Sequence, residues 1–393
     1  MDHAPLYGLV CLVLTACSQP AAHAGDGPPL GKPGTFPLPE IQRMVKEPSL
    51  HVAFVPEAPL GITQALAEVI PADNPLTRAK VELGCQLYFD PRLSRDQTIA
   101  CATCHHPSMG WAENQPVSTG IHGQKGGRSA PTIANRALGT TQFWDGRAKT
   151  LEEQALGQMA NKIEMGFTPE GAAERLKSIE GYRIQFEAVF GGPASPERIA
   201  KALAAFERTI LSGNSEFDVY ERALPFLDYE AEDGDEPEFL ARMKEALETE
   251  AKRKLSDSAL RGRELFFNKA KCSTCHVGQD LTDELFHNLG VGMTKRNPDL
   301  GRFVVTQVEK DKGAFKTPTV RSIAKTAPYM HDGSLATLRE VVEHYDKGGT
   351  KNPWLSEKIG PLGLSEQEKQ DLVTFMEEGL TGETTPVSIP RLP

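Results

Sequence analysis

Two short cysteine motifs constrain this chain of 393 residues more than any other feature of its sequence. Each is a Cys-x-x-Cys pair followed at once by histidine: Cys101, Cys104 and His105 in one half, and Cys272, Cys275 and His276 in the other. A zinc ribbon would need its two pairs ~15–20 residues apart, and these lie much farther apart. A thioredoxin-like pair would need a βαβ context, which the sequence does not offer. The motifs instead predict two covalent c-type haems, each with its histidine coordinating the iron.

The two halves of the chain resemble each other beyond these motifs. A glycine-led segment precedes each motif, a Pro-Thr pair follows it, and an Asp-Gly pair begins fourteen residues beyond each proline. The matching segments are 84–90 and 262–268, 130–132 and 317–319, and 145–153 and 332–340. Equal spacing over three landmarks indicates the internal duplication of one haem-binding unit.

Helix signals dominate the rest of the sequence. Ser195 before Pro196 is typical of an N-cap followed by the first helical position, and Ser365 with Glu368 forms a capping box. We find no convincing alternating strand pattern, and glycine and proline concentrate between the helical segments. These signals predict an all-α protein of two cytochrome c-like haem domains, related by duplication and connected by Gly/Pro-rich loops.

Composition along the chain predicts five segments. A proline- and glycine-rich stretch and an acidic run at 228–238 separate the regions that carry the repeats. We predict a signal peptide with a lipobox at 1–24, an irregular arm at 25–74, an N-terminal haem domain at 75–222, an acidic insertion or linker at 223–255 and a C-terminal haem domain at 256–393.

The N-terminal segment favours export to the periplasm. The apolar run 9–16 is too short to span a bilayer but suits a secretory signal, and Leu-Thr-Ala before Cys17 resembles a lipoprotein box. No Lys or Arg precedes the run, so a plain signal cleaved near Ala24 is the alternative to a lipid anchor on Cys17. The formal charge of −10, without a basic stripe, argues against a nucleic-acid partner.

Six further segments accompany the haem motifs: 89–94, 128–132, 143–147, 151–155, 164–166 and 328–333. In this combination the chain, from about Pro75 to Leu380, resembles the bacterial di-haem cytochrome c peroxidases and their relative MauG, which oxidises a precursor protein to mature its cofactor. The resemblance implies that the haem on His105 reacts with hydrogen peroxide. It implies that the haem on His276 receives or stores electrons.

The resemblance also implies roles for single residues. Glu164 matches the distal acid/base of the family, Gln154 its distal amide, and Trp144 the tryptophan between the haems. A carboxylate beside the iron can take a proton from peroxide and return it, and an amide can fix the oxygen without adding charge. Asn135 and the carbonyl groups near Pro318 match a calcium site at the domain interface.

The sixth ligand of each haem iron has alternatives. Tyr345 occupies a place where ordinary peroxidases carry methionine and MauG carries tyrosine, so the resemblance favours Tyr345 for the second haem. Met330 is the second choice, because the repeat aligns it with Phe143. His122, in a glycine-rich loop, matches the distal ligand that many di-haem peroxidases carry on the first haem and MauG lacks; a solvated loop histidine is the alternative.

Three functions are compatible with the sequence. The leading hypothesis is a peroxidase that reduces hydrogen peroxide to water, with electrons that pass from a small cytochrome c or copper protein through the C-terminal haem to the N-terminal haem. The alternatives are a MauG-like enzyme that oxidises side chains of a partner protein and a non-catalytic di-haem electron carrier. A calcium ion and a homodimer are options that the sequence leaves open.

Overall fold

The computed structural model describes residues 28–232 and 234–393, so the predicted signal peptide and Cys17 lie outside the described residues. Helices dominate, and four two-residue strands form two antiparallel pairs, β1 with β4 and β2 with β3. None of the helices in this described part combines the length and apolar character that a membrane crossing needs. The α-helices are α1 (Leu38–Met44), α2 (Arg78–Tyr88), α3 (Cys101–Cys104), α4 (Leu151–Ala160), α5 (Pro169–Lys177), α6 (Glu180–Phe190), α7 (Pro196–Glu207), α8 (Glu216–Ala223), α9 (Pro237–Lys252), α10 (Asp257–Phe267), α11 (Phe303–Thr306), α12 (Leu338–Asp346) and α13 (Glu366–Thr374). The strands are β1 (Ser212–Gly213), β2 (Phe286–His287), β3 (Phe315–Lys316) and β4 (Glu383–Thr384).

Several helices begin where the sequence offers a cap. The hydroxyl of Ser195 accepts the backbone N–H of Arg198 at the start of α7, and Ser365 forms its predicted capping box with Glu368 at the start of α13. Each cap satisfies backbone donors that have no partner within the helix. The predicted helix starts at these two positions are therefore confirmed.

The duplication is visible in two equivalent helix crossings. Helix α2 packs on α7 in the first half, and α10 packs on α13 in the second. A Cβ atom at Gly84 would lie 1.9 Å from the carbonyl oxygen of Ala202, and one at Gly262 would lie 2.0 Å from that of Asp371. Because only glycine permits so close an approach, the glycine that begins each repeated segment marks the same crossing in both halves.

Each crossing contributes aromatic residues to its own hydrophobic core. In the first core, the ring of Tyr88 lies 6.1 Å from that of Trp111 and 5.1 Å from that of Phe206. In the second, Phe266 lies 5.5 Å from Phe375. Two separate cores of this kind support the predicted two-domain, mostly helical architecture.

Two segments cross the domain boundaries predicted from the sequence. Phe217 in α8 belongs by sequence to the first domain, but it packs in the second core, 5.7 Å from Phe375. Near the C-terminus, Val387 and Ile389 pack against the first core. Such long-range exchange leaves no local sequence signal, so spacing alone could not reveal it.

The arm and the insertion contain more helix than their composition suggests. The arm includes the short helix α1, and the insertion is mostly α9, which begins with Pro237 at its first turn. Ala246 is the one buried residue of α9, so the helix is largely exposed, as expected for a solvated insertion. Phe239 on α9 packs edge-on against Phe226 and Tyr229, and these contacts attach the helix to the chain before it.

Candidate haem sites

Both Cys-x-x-Cys-His motifs lie on the walls of large cavities. The first cavity holds about 2050 Å³ of empty space, counting space open to solvent, and residues 101, 104 and 105 line it. The second holds about 1720 Å³ on the same measure and is lined by residues 272, 275 and 276. The four motif cysteines are not in disulfide bonds, so their thiols are available for thioether bonds.

The two motif histidines are held by backbone carbonyl groups. Nδ1 of His105 donates to the carbonyl of Pro131 at 2.9 Å, and Nδ1 of His276 donates to that of Leu281 at 3.1 Å. Because a carbonyl oxygen only accepts, Nδ1 carries the proton and Nε2 keeps a lone pair for a metal. Burial lowers the pKa of His105 to about 4 and lowers the pKa of His276 as well. Two thiols and a neutral imidazole beside each cavity fit a c-type haem.

Glu164 lies in the first cavity, held by a tightly packed loop. The backbone N–H of Ile121 donates to the carbonyl of Glu164 at 2.9 Å. A Cβ atom at Gly120 would lie 1.9 Å from the carbonyl oxygen of Ile163. Only glycine at this position therefore allows the loop to pack so closely against residues 163 and 164. Burial raises the pKa of the Glu164 carboxyl to about 7, against an opposing effect of Arg147. A carboxyl with this pKa can both accept and donate a proton near neutral pH.

Helix α4 places two amides on the wall of the first cavity. Gln154, predicted from the sequence, and Gln158, which the sequence analysis missed, lie one helical turn apart and both line it. Oε1 of Gln158 is buried without a hydrogen-bond partner among the described residues, as is Oε2 of Glu164. The repeat is the signal that could have found Gln158, because it aligns this residue with Tyr345.

Glu113 is a second buried carboxyl, besides Glu164, and the sequence analysis did not identify it. Its Oε1 accepts the backbone N–H of Thr119 at 3.3 Å, and its Oε2 is buried without a partner among the described residues. Burial raises the pKa of Glu113, and the negative charge of Glu113 adds to the raised pKa of Glu164. Nothing in the sequence pattern singled out this acid.

Trp144 lines both cavities and is fixed from two sides. Its indole Nε1 donates to the carbonyl of Ser129 at 2.9 Å, and its own carbonyl accepts the backbone N–H of Lys316 at 2.8 Å. Lys316 also lines both cavities, and its Nζ donates to the carbonyl of Thr141 at 2.8 Å. Trp144 thus lies between the two candidate haem sites, next to a buried lysine that sequence reasoning did not identify and whose pKa burial lowers to about 7.

Both candidates for the sixth ligand of the second haem line the second cavity. Tyr345 projects from α12, and burial raises the pKa of its phenol well above the usual range. Met330 lies in the loop before that helix with a positive φ of 73°, which matches the φ of 69° at its repeat partner Phe143. The choice of ligand stays a prediction.

Two predicted site residues lie elsewhere. His122 is on the surface: its side chain is 65% exposed, 3.5 Å from Asp96, and it does not line the first cavity. Asn135 is buried at the domain interface, where Oδ1 accepts the N–H of Ser212 at 2.8 Å and Nδ2 donates to Asp280 at 2.8 Å. One hydrogen bond leaves the amide oxygen a second lone pair, so the calcium site at Asn135 and Pro318 stays a prediction.

Fold and site together define a helical, duplicated protein built around two c-type haems, and comparisons with known proteins agree. A family model described as "Di-haem cytochrome c peroxidase" matches residues 78–223. The methylamine utilization protein MauG of Methylorubrum extorquens is 40% identical over 327 residues, which cover 82% of this chain and 84% of MauG. Cytochrome c551 peroxidase of Nitrosomonas europaea is 35% identical over 350 residues, 85% of this chain and 92% of the relative.

A solved structure extends this agreement to three dimensions. The crystal structure of a MauG-like protein associated with microbial copper homeostasis superposes with a TM-score of 0.68 at 31% identity, and covers 80% of this chain and 92% of that one. The chain belongs to the family of di-haem cytochrome c peroxidases and MauG proteins. The predicted family, the all-α fold class, the peroxidase-type oxidoreductase activity and the two c-type haems are therefore confirmed.

Proposed function

We propose that the protein reduces hydrogen peroxide to water in the first cavity, with electrons that enter through the second haem. The reaction consumes one hydrogen peroxide, two protons and two electrons and releases two waters. The haem supplies the redox chemistry when it is bound, and the chain supplies proton handling and orientation. The observation that carries this proposal is the buried Glu164 carboxyl, beside the amides of Gln154 and Gln158 on the wall that faces the candidate haem.

Glu164 is suited to move a proton within peroxide. Its ionised form can accept the proton from one oxygen, and its protonated form can deliver it to the oxygen that leaves as water. Burial raises the pKa of Glu164 to about 7, so the two forms are close in free energy near neutral pH. In this proposal Gln154, which lines the same cavity, holds the peroxide through hydrogen bonds without adding charge.

Trp144 is the residue that connects the two sites. Its side chain lines both cavities, and hydrogen bonds at its indole and its carbonyl restrict its movement. We assign it the transfer of electrons from the haem on His276 to the haem on His105. The donor in this proposal is a small periplasmic cytochrome c or copper protein; export, with or without a lipid anchor on Cys17, gives access to it.

Steady-state oxidation of reduced cytochrome c by peroxide tests the proposal. We expect Glu164→Gln to lower kcat by roughly 10²–10⁴-fold, the usual contribution of general acid–base catalysis. Glu170→Gln is the matched control, because Glu170 is exposed in the first turn of α5. Turnover by Glu164→Gln equal to that of the control would exclude Glu164 as the acid/base.

A MauG-like oxidation of a partner protein is the second candidate. Tyr345, buried in the second cavity, favours it, since the resemblance links a tyrosine at this place to MauG. In this alternative, the two oxidising equivalents of peroxide are used to remove electrons from side chains of a protein substrate. Slow turnover with every small electron donor, together with peroxide-dependent oxidation of a protein partner seen by mass spectrometry, would favour this function over the first.

A further inference from the structure

Each domain carries one cavity-facing side chain at the same position of the helix that follows its Asp-Gly pair. In the first domain this residue is Gln158, and in the second it is Tyr345. Each lies eight residues after the threonine that caps its helix, Thr150 for α4 and Thr337 for α12. The two side chains are therefore structural equivalents within the duplication.

The amide of Gln158 has capacity for a hydrogen bond that the described protein does not use. Its Oε1 is buried without a partner, although the side chain lines the first cavity. Glu164 presents a second buried oxygen without a partner on the same cavity. A buried polar atom that lacks a partner destabilises a fold, so such atoms indicate a group that completes them.

We infer that Gln158 hydrogen-bonds to the small ligand in the sixth position of the first haem iron, and that its helical position decides whether a haem is open. The inference rests on the proposed function, because it requires a haem on His105 with an accessible iron face. A neutral amide is a poor ligand for haem iron compared with imidazole, thiolate or phenolate. Glutamine at this position therefore leaves the first iron open, while Tyr345 offers a phenol to the second.

The geometry distinguishes Gln158 from Gln154, the amide already placed in the peroxide site. The two residues lie one turn apart on α4, so they reach the cavity at two different points along its wall. The repeat partner of Gln154 is Val341, whose side chain cannot form a hydrogen bond. Position 158 and its equivalent, position 345, therefore both carry a polar side chain. Glutamine leaves the first iron open, whereas tyrosine offers a ligand to the second.

Fluoride binding to the ferric holoenzyme tests the hydrogen bond. Fluoride coordinates open ferric haem and accepts hydrogen bonds, so it is bound by Gln158 when the amide turns over and presents its Nε2 donor in place of Oε1. We expect Gln158→Leu, which keeps the volume and removes the amide, to raise the fluoride Kd of the first haem roughly tenfold. Ala160→Leu, on the exposed end of the same helix, is the control and is expected to keep the wild-type Kd. A Kd for Gln158→Leu within twofold of wild type would overturn the inference.

A second variant tests the positional equivalence with Tyr345. We expect Gln158→Tyr to place a phenol on the first iron, so that the electron paramagnetic resonance signal of the open haem and fluoride binding are both lost. Retention of both would overturn the equivalence, and this outcome remains accessible if Gln158→Leu fails to fold. Wild-type enzyme that binds no fluoride would contradict the proposed open haem itself. Wild-type binding with unchanged variants would contradict only this inference.

Discussion

The two haem domains share a scaffold but present different chemistry to their cavities. Helix α4 of the first domain carries Gln154 and Gln158, and α12 of the second carries Val341 and Tyr345 at the equivalent positions. The first cavity thereby gains two hydrogen-bonding amides and no strong iron ligand from this helix. The second gains an apolar residue and a buried phenol. In the proposed function, this divergence at two positions of one helix helps to separate a site for a small substrate from a site for electrons.

A second contrast lies beside the second cysteine of each motif. Trp111 and Leu281 both have positive φ angles, 61° and 49°, and their carbonyls accept hydrogen bonds from the motif histidines. Two residues later come Glu113 in the first domain and Asp283 in the second. Asp283 is paired with His287 at 2.8 Å, and its pKa is lowered, whereas burial raises the pKa of Glu113. The first domain therefore keeps a buried acid with a raised pKa where the second has an acid paired with a histidine.

The largest expected effect comes from making the second domain resemble the first. Tyr345→Gln replaces the buried phenol by the amide that stands at position 158. If Tyr345 ligates the second iron, this variant should convert the second haem from closed to open. Electron paramagnetic resonance of the ferric enzyme is then expected to show a second high-spin signal, and a second equivalent of fluoride should bind.

The control for this variant is Met330→Leu, which tests the other candidate ligand without touching α12. Met330 lies in the second cavity as well, so Met330 and Tyr345 are alternative ligands that would close the second haem. A new open haem in Met330→Leu, with none in Tyr345→Gln, would reverse the ligand assignment. It would also remove the contrast between positions 158 and 345.

The next largest expected effect is on stability and concerns the helix crossing that the two domains share. Gly84→Ala and Gly262→Ala each place a methyl group about 2 Å from a carbonyl oxygen of the crossing helix. Because a clash with backbone cannot be relieved by a side-chain rotation, we expect each to lower the free energy of unfolding by about 3 kcal/mol. Chemical denaturation of the holoenzyme measures this change in the free energy of unfolding.

Gly157→Ala on α4 is the matched control for both glycine variants. A Cβ atom at Gly157 would lie 3.6 Å from Phe143, an ordinary contact, so alanine should leave stability unchanged or raise it slightly. A loss of less than about 1 kcal/mol in only one of the two crossing variants would show that the helices cross differently in the two domains.

Local spacing predicted the parts of this protein that depend on local chemistry. The haem motifs, the duplication and the helices capped by Ser195 and Ser365 all follow from short-range patterns. The family resemblance was needed for Glu164, which without it is an ordinary acid. Long-range contacts were out of reach: Phe217 enters the second core, and Lys316 lies between the cavities. Such residues matter because of where they are buried, and their burial depends on contacts between distant parts of the folded chain.

The smallest expected effect tests the acid that only the first domain retains. Glu113 contributes to the raised pKa of Glu164 through like-charge repulsion, while Arg147 opposes it. Glu113→Gln removes the negative charge, so the pKa of Glu164 should fall from about 7. If peroxide gives its proton to ionised Glu164, activity in wild type declines as the pH falls through about 7, and the decline in the variant should occur at lower pH.

The pH profile of kcat/KM for peroxide measures this shift in the free enzyme. Asp283→Asn is the corresponding change in the second domain, where the acid is paired with His287. It should leave the acidic limb of the profile, the decline of kcat/KM at low pH, in place. A stability change alone would lower activity at every pH without moving the limb. An acidic limb at the same pH in Glu113→Gln and wild type would show that the two carboxyls do not interact, and the first cavity would then depend on Glu164 alone.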